Sequence, residues 1–469
     1  MHGVRLLCLL SLPLGGCSFI DDFNFTVRDL DAGNEDGAGE QDAERDGPTF
    51  ACPDPCIGDA VTDFVTATQD SGTLRWRYQR DLRDPVGLAT EPLVWDSWRG
   101  LSGWASSAGA PPAIVSCSQH PKAPECAGLD GRLLVVTDAP GGARSDPVLT
   151  FEATEAGTYR LSFDLRTRDG SPPSDPARVL VSRNMRNDMV LAQVVEPSEV
   201  PSVFTVDIDL FEAERGLVSI VPDPKASVAP EPVGLRVAAG RVVEGSGASL
   251  EHCLFAVTFE GASPLTDRCG QRTLTHESDP TQDVESVSPL YGRARDFDQQ
   301  ALLSNGSVLD YSGDITVQMW ALVTEPVTRF RTFFDDRNDR IGSVGGVTVA
   351  ANLTGARTTV SAVAMDSRTP CPSPACVVCS PQGACVVEAL GPRPVDGQWH
   401  FYRLVRSTAD SSLRICVDGV SGGTATLPGD LDITGYDAPA LGNTVYFSHN
   451  RLVGSLDDVR VFRRALPCL

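Results

Sequence analysis

Positive charge is scarce in this sequence. Across 469 residues, 39 lysines and arginines stand against 62 aspartates and glutamates, a formal net charge of −23. Such a chain lacks the basic surface that neutralises phosphates, which sets nucleic acid aside as a partner and argues against docking on anionic lipid headgroups. Histidine is equally scarce: the six present are scattered singly, so a histidine general base is not expected. HExxH does not occur, which removes the commonest metalloprotease signature. Beyond residue 16 no run of 18 apolar residues appears, so no further segment is expected to cross a bilayer as a helix.

Helical periodicity is missing too, and strand signals replace it. Short alternating runs such as Arg132–Thr137, Thr158–Leu165, Val203–Leu210 and Val459–Phe462 are separated by Gly, Pro, Asp and Asn, and the chain holds 34 prolines and 43 glycines. The pattern predicts an all-β fold of two antiparallel β-sandwich, jelly-roll-like domains. The first is expected over 57–245 and the second over 250–469, with the seam near Gly245-Ser-Gly-Ala-Ser249.

The amino terminus has a different character. Met1 to Gly16 offers Arg5, the apolar run Leu6–Leu14 and two small glycines, the three parts of a secretory signal too short to span a membrane. Leu14-Gly15-Gly16-Cys17 resembles the lipobox of bacterial lipoproteins. The resemblance implies cleavage after residue 16 and lipid on Cys17, with two or three acyl chains giving a stable bilayer anchor. Residues 17–56 then read as a lipid-anchored acidic linker. Ten acidic residues against two basic ones lie between Ser18 and Ala51, too little apolar surface to offset ordering entropy. A disordered tether reaching at least about 30 Å is expected. Ser18, where enteric lipoproteins kept on the inner membrane commonly carry aspartate, favours the outer membrane of the cell envelope.

Of 14 cysteines, Cys8 leaves with the signal and Cys17 takes lipid. The remaining twelve suit an oxidising compartment. They group as Cys52 with Cys56, Cys117 with Cys126, Cys253 with Cys269, the quartet Cys371, Cys376, Cys379 and Cys385, and Cys416 with Cys468. The spacing suggests local disulfides. The quartet includes a CxxC, but its fifteen-residue span is tighter than a zinc ribbon's, so two small disulfides are the preferred reading over zinc.

Six stretches in order carry a second resemblance. Cys253-Leu-Phe-Ala-Val-Thr-Phe-Glu260, Ala294-Arg-Asp-Phe-Asp298, Asp314-Ile-Thr-Val-Gln-Met-Trp320, Trp399-His-Phe-Tyr-Arg-Leu-Val405, Leu413-Arg-Ile-Cys-Val-Asp-Gly419 and Gly454-Ser-Leu-Asp-Asp-Val-Arg-Val-Phe-Arg-Arg-Ala-Leu466 resemble the successive strands of laminin-G-like, concanavalin A-type sandwiches. That resemblance implies a lectin-like fold whose members often hold calcium. Asp335, Asp336, Asn338 and Asp339 supply hard oxygen ligands in one stretch and are the calcium candidates. The superfamily also hosts glycoside hydrolases. No expected strand of either sandwich carries the Glu-x-Asp-x-Glu spacing that would put paired carboxylates on one face, and the nearest acidic run there, Phe211-Glu-Ala-Glu-Arg215, lacks a central acid. Trp320 and Trp399 fall on apolar strands and read as core. Gly419 reads as the positive-φ residue of a tight turn, and Asp457 and Asp458 as acceptors for backbone amides.

In the first domain, Trp76, Trp95, Trp98 and Trp104 lie within 29 residues of one another, beside Tyr78. Burial in the sandwich is the plainer expectation. An exposed group would stack on sugar rings, and Trp95, Trp98 and Trp104 are the ligand candidates, with Trp98 and Trp104, next to glycines, the more exposed. The sequence as a whole predicts a non-catalytic envelope lipoprotein displaying domains for carbohydrate or extracellular protein. A carbohydrate-active enzyme with an unrecognised site, or a structural envelope component, are the alternatives.

Overall fold

The computed structural model describes residues 50–468, apart from intervening stretches of which 65–75, 337–345, 367–377 and 428–438 are the longest. The signal, Cys17 and most of the acidic linker lie outside the described residues. So do Cys52, Cys371, Cys376, Asn338 and Asp339.

The described residues form an all-β protein whose one helical element is a 3₁₀ turn at Pro124–Cys126. Strands between Cys56 and Arg241 make an eight-stranded and a six-stranded sheet, and those between Cys253 and Phe462 make two eight-stranded sheets. Alternation decides what faces inward. In Gly157–Thr167 the core receives Tyr159, Leu161, Phe163 and Leu165, which meet Leu149, Phe151, Val179 and Val218 from the facing sheet. In the second sandwich Val317 and Met319 face inward, and their core includes Phe333, Phe334, Val347 and Val349 from the opposite sheet. The six stretches that resemble laminin-G-like sandwiches each contain a strand, and the last, Val453–Phe462, lies between Arg293–Asp298 and Ile315–Val323.

Three disulfides are described. Cys117–Cys126 ties down a segment that packs on the outer face of the first sandwich, Cys253–Cys269 joins a strand to the turn after it, and Cys416–Cys468 pins the residues following the Val453–Phe462 strand. Cys379 and Cys385 lie opposite one another on paired strands.

Residues 48–469 form one compact unit, and the reason lies on the outer face of Ile315–Val323. Register places Gln318 beside Arg403 on one neighbouring strand and Arg460 on the other, and Trp320 beside Phe401. In an open sheet these positions would face water. Here they are buried against the first sandwich: Met185 packs on Trp320 and Phe401, with half-buried Trp399 alongside, while Phe462 and Leu466 enter the first sandwich's core. Arg183 and Arg403 both bind Asp188, Arg403 through Nη2 at 2.8 Å, and Gln318 donates to the same carboxylate at 3.1 Å. Burial alone would raise the Asp188 carboxyl, yet Arg183 and then Arg403 hold it down at about 2.

Candidate functional site: an acidic cleft at the seam

The same seam opens at one side into a cavity of about 150 Å³ lined by Glu212, Ala213, Glu214, Thr258, Glu260, Arg268, Asp457 and Asp458. The first three belong to the turn between Ser202–Leu210 and Arg215–Pro222, and the rest to the second sandwich. Two acidic runs that lie more than 240 residues apart in sequence thus share one wall space, a proximity no local pattern encodes.

Each acid is positioned by an identifiable local device. Between Gln318 and Trp320 the partner strand advances from Arg460 to Asp457, three residues against two. That extra residue is a β-bulge, and bulges re-aim side chains. Asp458 sits in it with φ of 48°. Asp457 Oδ1 accepts the Asp458 amide at 2.7 Å, the backbone role expected for it. Asp458 is instead turned to Arg460, whose Nε donates to Oδ1 at 2.6 Å. Across the seam, Glu214 Oε2 accepts the Phe211 amide at 2.8 Å and Arg460 Nη1 at 3.2 Å. Its Oε1 accepts Arg460 Nη2 and, at 3.1 Å, Asn184 Nδ2. Phe211, buried, carries the guanidinium of Arg268 at 4.0 Å from its ring centre and that of Arg460 at 5.1 Å.

One guanidinium therefore serves two buried carboxylates, and they respond differently. Burial pushes both upward. For Glu214 the charge and hydrogen bonds of Arg460 outweigh it and leave the carboxyl below its ordinary value. For Asp458 burial prevails over Arg460, and the carboxyl lies above its ordinary value. Asp458 Oδ2 is buried and accepts no hydrogen bond. Ala213 and Phe259, on or next to the wall, share the left-handed backbone of Asp458, with φ of 66° and 56°. Non-glycine residues in this region cost of order 1–3 kcal/mol each and gather at functional sites.

The tryptophans follow the plainer expectation, burial, and not the exposed alternative. Trp98 and Trp104 are each only 4% exposed. Hairpin pairing sets Trp95 opposite Trp104 on the core face, where Trp104 meets Tyr78 and half-buried Trp95 meets Phe64. Trp98 points to the other face, into the small core under the Cys117–Cys126 segment. The proposed exposed pair is therefore corrected: period-two alternation sends both rings into cores. Of the calcium candidates, Asp335 and Asp336 are buried, with Oδ1 atoms that accept Thr348 Oγ1 at 2.5 Å and the Val347 amide at 2.7 Å. Among the described residues no group of three or more His, Cys, Asp or Glu is arranged to hold a metal ion.

A third feature stands apart from the seam. His400 lies between two carboxylates, Nδ1 at 2.6 Å from Asp418 and Nε2 at 3.0 Å from Asp396. Burial lowers its proton affinity, but the two bonds more than offset that, and its pKa is raised. Asp418 Oδ1 also accepts the Phe401 amide at 2.9 Å, so this group fastens a hairpin to its neighbouring strand.

The fold and its elements define a concanavalin A-like domain over residues 295–467, the span that matches the Laminin_G_3 family, described as the concanavalin A-like lectin/glucanases superfamily. Similar solved structures include the binding domain of botulinum neurotoxin DC in complex with SialylT (9% identity, 46% of this chain and 48% of that one, TM-score 0.33). Domain 4 of AbnA, a GH43 extracellular arabinanase from Geobacillus stearothermophilus in complex with arabinotriose, is 14% identical over 46% of this chain and 93% of that one, with a TM-score of 0.33. The binding domain of Paraclostridial Mosquitocidal Protein 1 is 9% identical over 46% and 50%, with a TM-score of 0.34. The chain thus spans about half the length of the two toxin domains. No curated protein matches the sequence.

Proposed function

We propose that this chain is a lipid-anchored binding protein of the bacterial cell envelope, which holds a two-sandwich body on an acidic tether and takes carbohydrate at the seam cleft. The observation that carries the binding role is the cleft itself: acids from both sandwiches line one cavity. Carbohydrate is preferred over an extracellular protein because residues 295–467, which supply Asp457 and Asp458 to the wall, match a lectin/glucanase superfamily. The anchor rests on Leu14-Gly15-Gly16-Cys17. Glycan-array binding by the full chain tests the role, and loss of all binding would refute it. Radiolabelled palmitate entering the wild type but not Cys17→Ser tests the anchor, and equal labelling of both would refute it.

A second reading is favoured by one observation. Glu214 and Asp458 are pushed in opposite directions, the pattern of a base and an acid in one site. Against catalysis, both carboxylates are tied to the same guanidinium and neither is free to turn toward a substrate. Reducing-sugar release from a bound glycan, abolished by Glu214→Gln, would establish the enzyme instead.

A further inference from the structure

We propose that two copies of this chain pair through an open sheet edge of the first sandwich, residues 202–206 of the strand Ser202–Leu210, joined antiparallel about a two-fold axis at Phe204. The inference stands independently of the carbohydrate reading.

The two sides of that sandwich are finished differently. On one side the sheets end in Thr90–Pro92 and Val94–Trp98, whose Glu91, Pro92 and Asp96 are the usual guards against edge-to-edge pairing. On the other they end in Met189–Val195 and Ser202–Leu210. Neither Met189–Val195 nor residues 202–206 contain a charge or a proline. The core-facing residues there are only half-buried, Leu191 on one edge and Phe204 and Val206 on the other, and Val194 is 42% exposed. Phe204 is nevertheless held in place, its ring stacked on Phe163 at 4.8 Å.

Backbone direction shows which groups the edge offers. Gly157–Thr167 lies between Ser202–Leu210 and Val233–Arg241. Thr158 O accepts the Val242 amide at 2.9 Å, so Thr158 faces Val233–Arg241, and Asp209 opposite it turns its own backbone to the free edge. Arg183 Nη1 donates to Asp209 O at 3.2 Å, and Arg464 Nη1 donates to Asp207 O at 2.8 Å. Period two carries the same direction on to Thr205 and Val203, whose outward amide and carbonyl groups have no partner among the described residues.

The open stretch is thus bounded by Pro201, which has no amide hydrogen, and by Asp207, whose carbonyl is taken. Its midpoint is Phe204, and the stretch is self-complementary about it. A second copy turned about this point sets its Thr205 opposite Val203 and its Val203 opposite Thr205, pairs in which every outward group meets a complement, roughly four bonds in all. Phe204 meets its own copy across the axis, the aromatic pairing that sheets favour. Pro201 falls opposite Asp207, whose carboxylate is already held by Arg160 at 2.8 and 2.7 Å. No like charges are therefore opposed, in a chain whose net charge of −23 would make most other self-contacts repulsive.

The test is sedimentation equilibrium of the full chain over a rising concentration series, with Cys17→Ser so that no lipid contributes, and disulfide trapping beside it. A monomer–dimer equilibrium is expected. Thr205→Pro removes one outward amide from each copy without touching a bond to Gly157–Thr167, and should raise the dissociation constant at least roughly tenfold. Thr205→Val should leave it unchanged. Under oxidation a mixture of Val203→Cys and Thr205→Cys should give a covalent dimer, because opposed residues lie about 5.5 Å apart. Either variant alone should not, because like positions then lie about 7–8 Å apart on the diagonal. A monomer at every concentration, equal trapping in all three samples, or a dimer insensitive to Thr205→Pro would overturn the inference. Should Thr205→Pro fail to fold, the trapping pattern decides alone.

Discussion

Arg460 is the residue on which the seam depends most. Its side chain is 2% exposed and bonds Glu214 from one sandwich and Asp458 from the other. Arg460→Met keeps the length and removes the charge, which leaves two buried carboxylates without their cation. The expected loss is about 3–5 kcal/mol, the usual cost of orphaning one side of a buried ion pair, read as a lowered denaturant midpoint. Unchanged stability would mean that water enters the seam. His400 makes a gentler prediction. Its folded pKa is raised, so its stabilisation is complete below the unfolded value of about 6.5 and fades as pH rises through the folded value. Asp396 has the opposite sign: its hydrogen bond to His400 lowers its pKa, so its share is present above its unfolded value and lost in strong acid. The pair is therefore strongest in mildly acid solution. His400→Gln should lower Tm by of the order of 2 °C near pH 5.5, allowing for solvent screening, and by less at pH 8.5. An equal deficit at both would refute the assignment.

At the scale of elements, turns and bulges decide what the strands present. Asp418 and Gly419, with φ of 51° and 79°, join Ser412–Val417 to Val420–Thr426 through the two-residue turn favoured by Asp-Gly. Gly419→Ala should cost about 1 kcal/mol, the left-handed penalty of a side chain, and leave the fold unchanged by circular dichroism. Gly454 is less forgiving: a Cβ there would lie 1.9 Å from the Leu322 carbonyl oxygen of the neighbouring strand. Gly454→Ala is expected to abolish folding of the second sandwich, measured as loss of soluble protein on expression. The Asp-Gly turn was readable in sequence because its chemistry is local, and so were the six lectin-like strands and the inward residues of Thr158–Leu165. The cleft was not. Asp457 and Asp458 read as turn acceptors, and only pairing with Ile315–Val323 reveals the bulge that aims Asp458 across the seam. Glu214 sat in a run set aside for lacking a central acid, whose partner acids lie in the other sandwich. Trp98 and Trp104 misled because glycine neighbours suggested exposure, whereas cross-strand pairing sends one ring to each face of the hairpin's sheet.

For the molecule as a whole, the seam converts two sandwiches into one mechanical body. Gln318, Arg403 and Asp188 bond inside it beside the Met185, Trp320 and Phe401 contact. Calorimetry should therefore show one unfolding transition, and Arg403→Ala, which orphans part of the Asp188 charge, should split it or lower it by about 3 kcal/mol or more. Because Asp188 is depressed to about 2, its contribution is complete above an unfolded value of about 3.9 and is lost only as pH falls through about 2. The single transition should persist from neutral pH to about 4; separation within that range would contradict the network. The strand Val453–Phe462 adds a consequence in time. It completes the middle of one sheet, carries Arg460 to the seam, and is followed by Leu466, which enters the first sandwich's core, and Cys468, which closes the bond to Cys416. Neither sandwich can reach its final packing while those residues are still inside the ribosome. The body therefore stays open through most of its synthesis and locks only once its last strand has emerged.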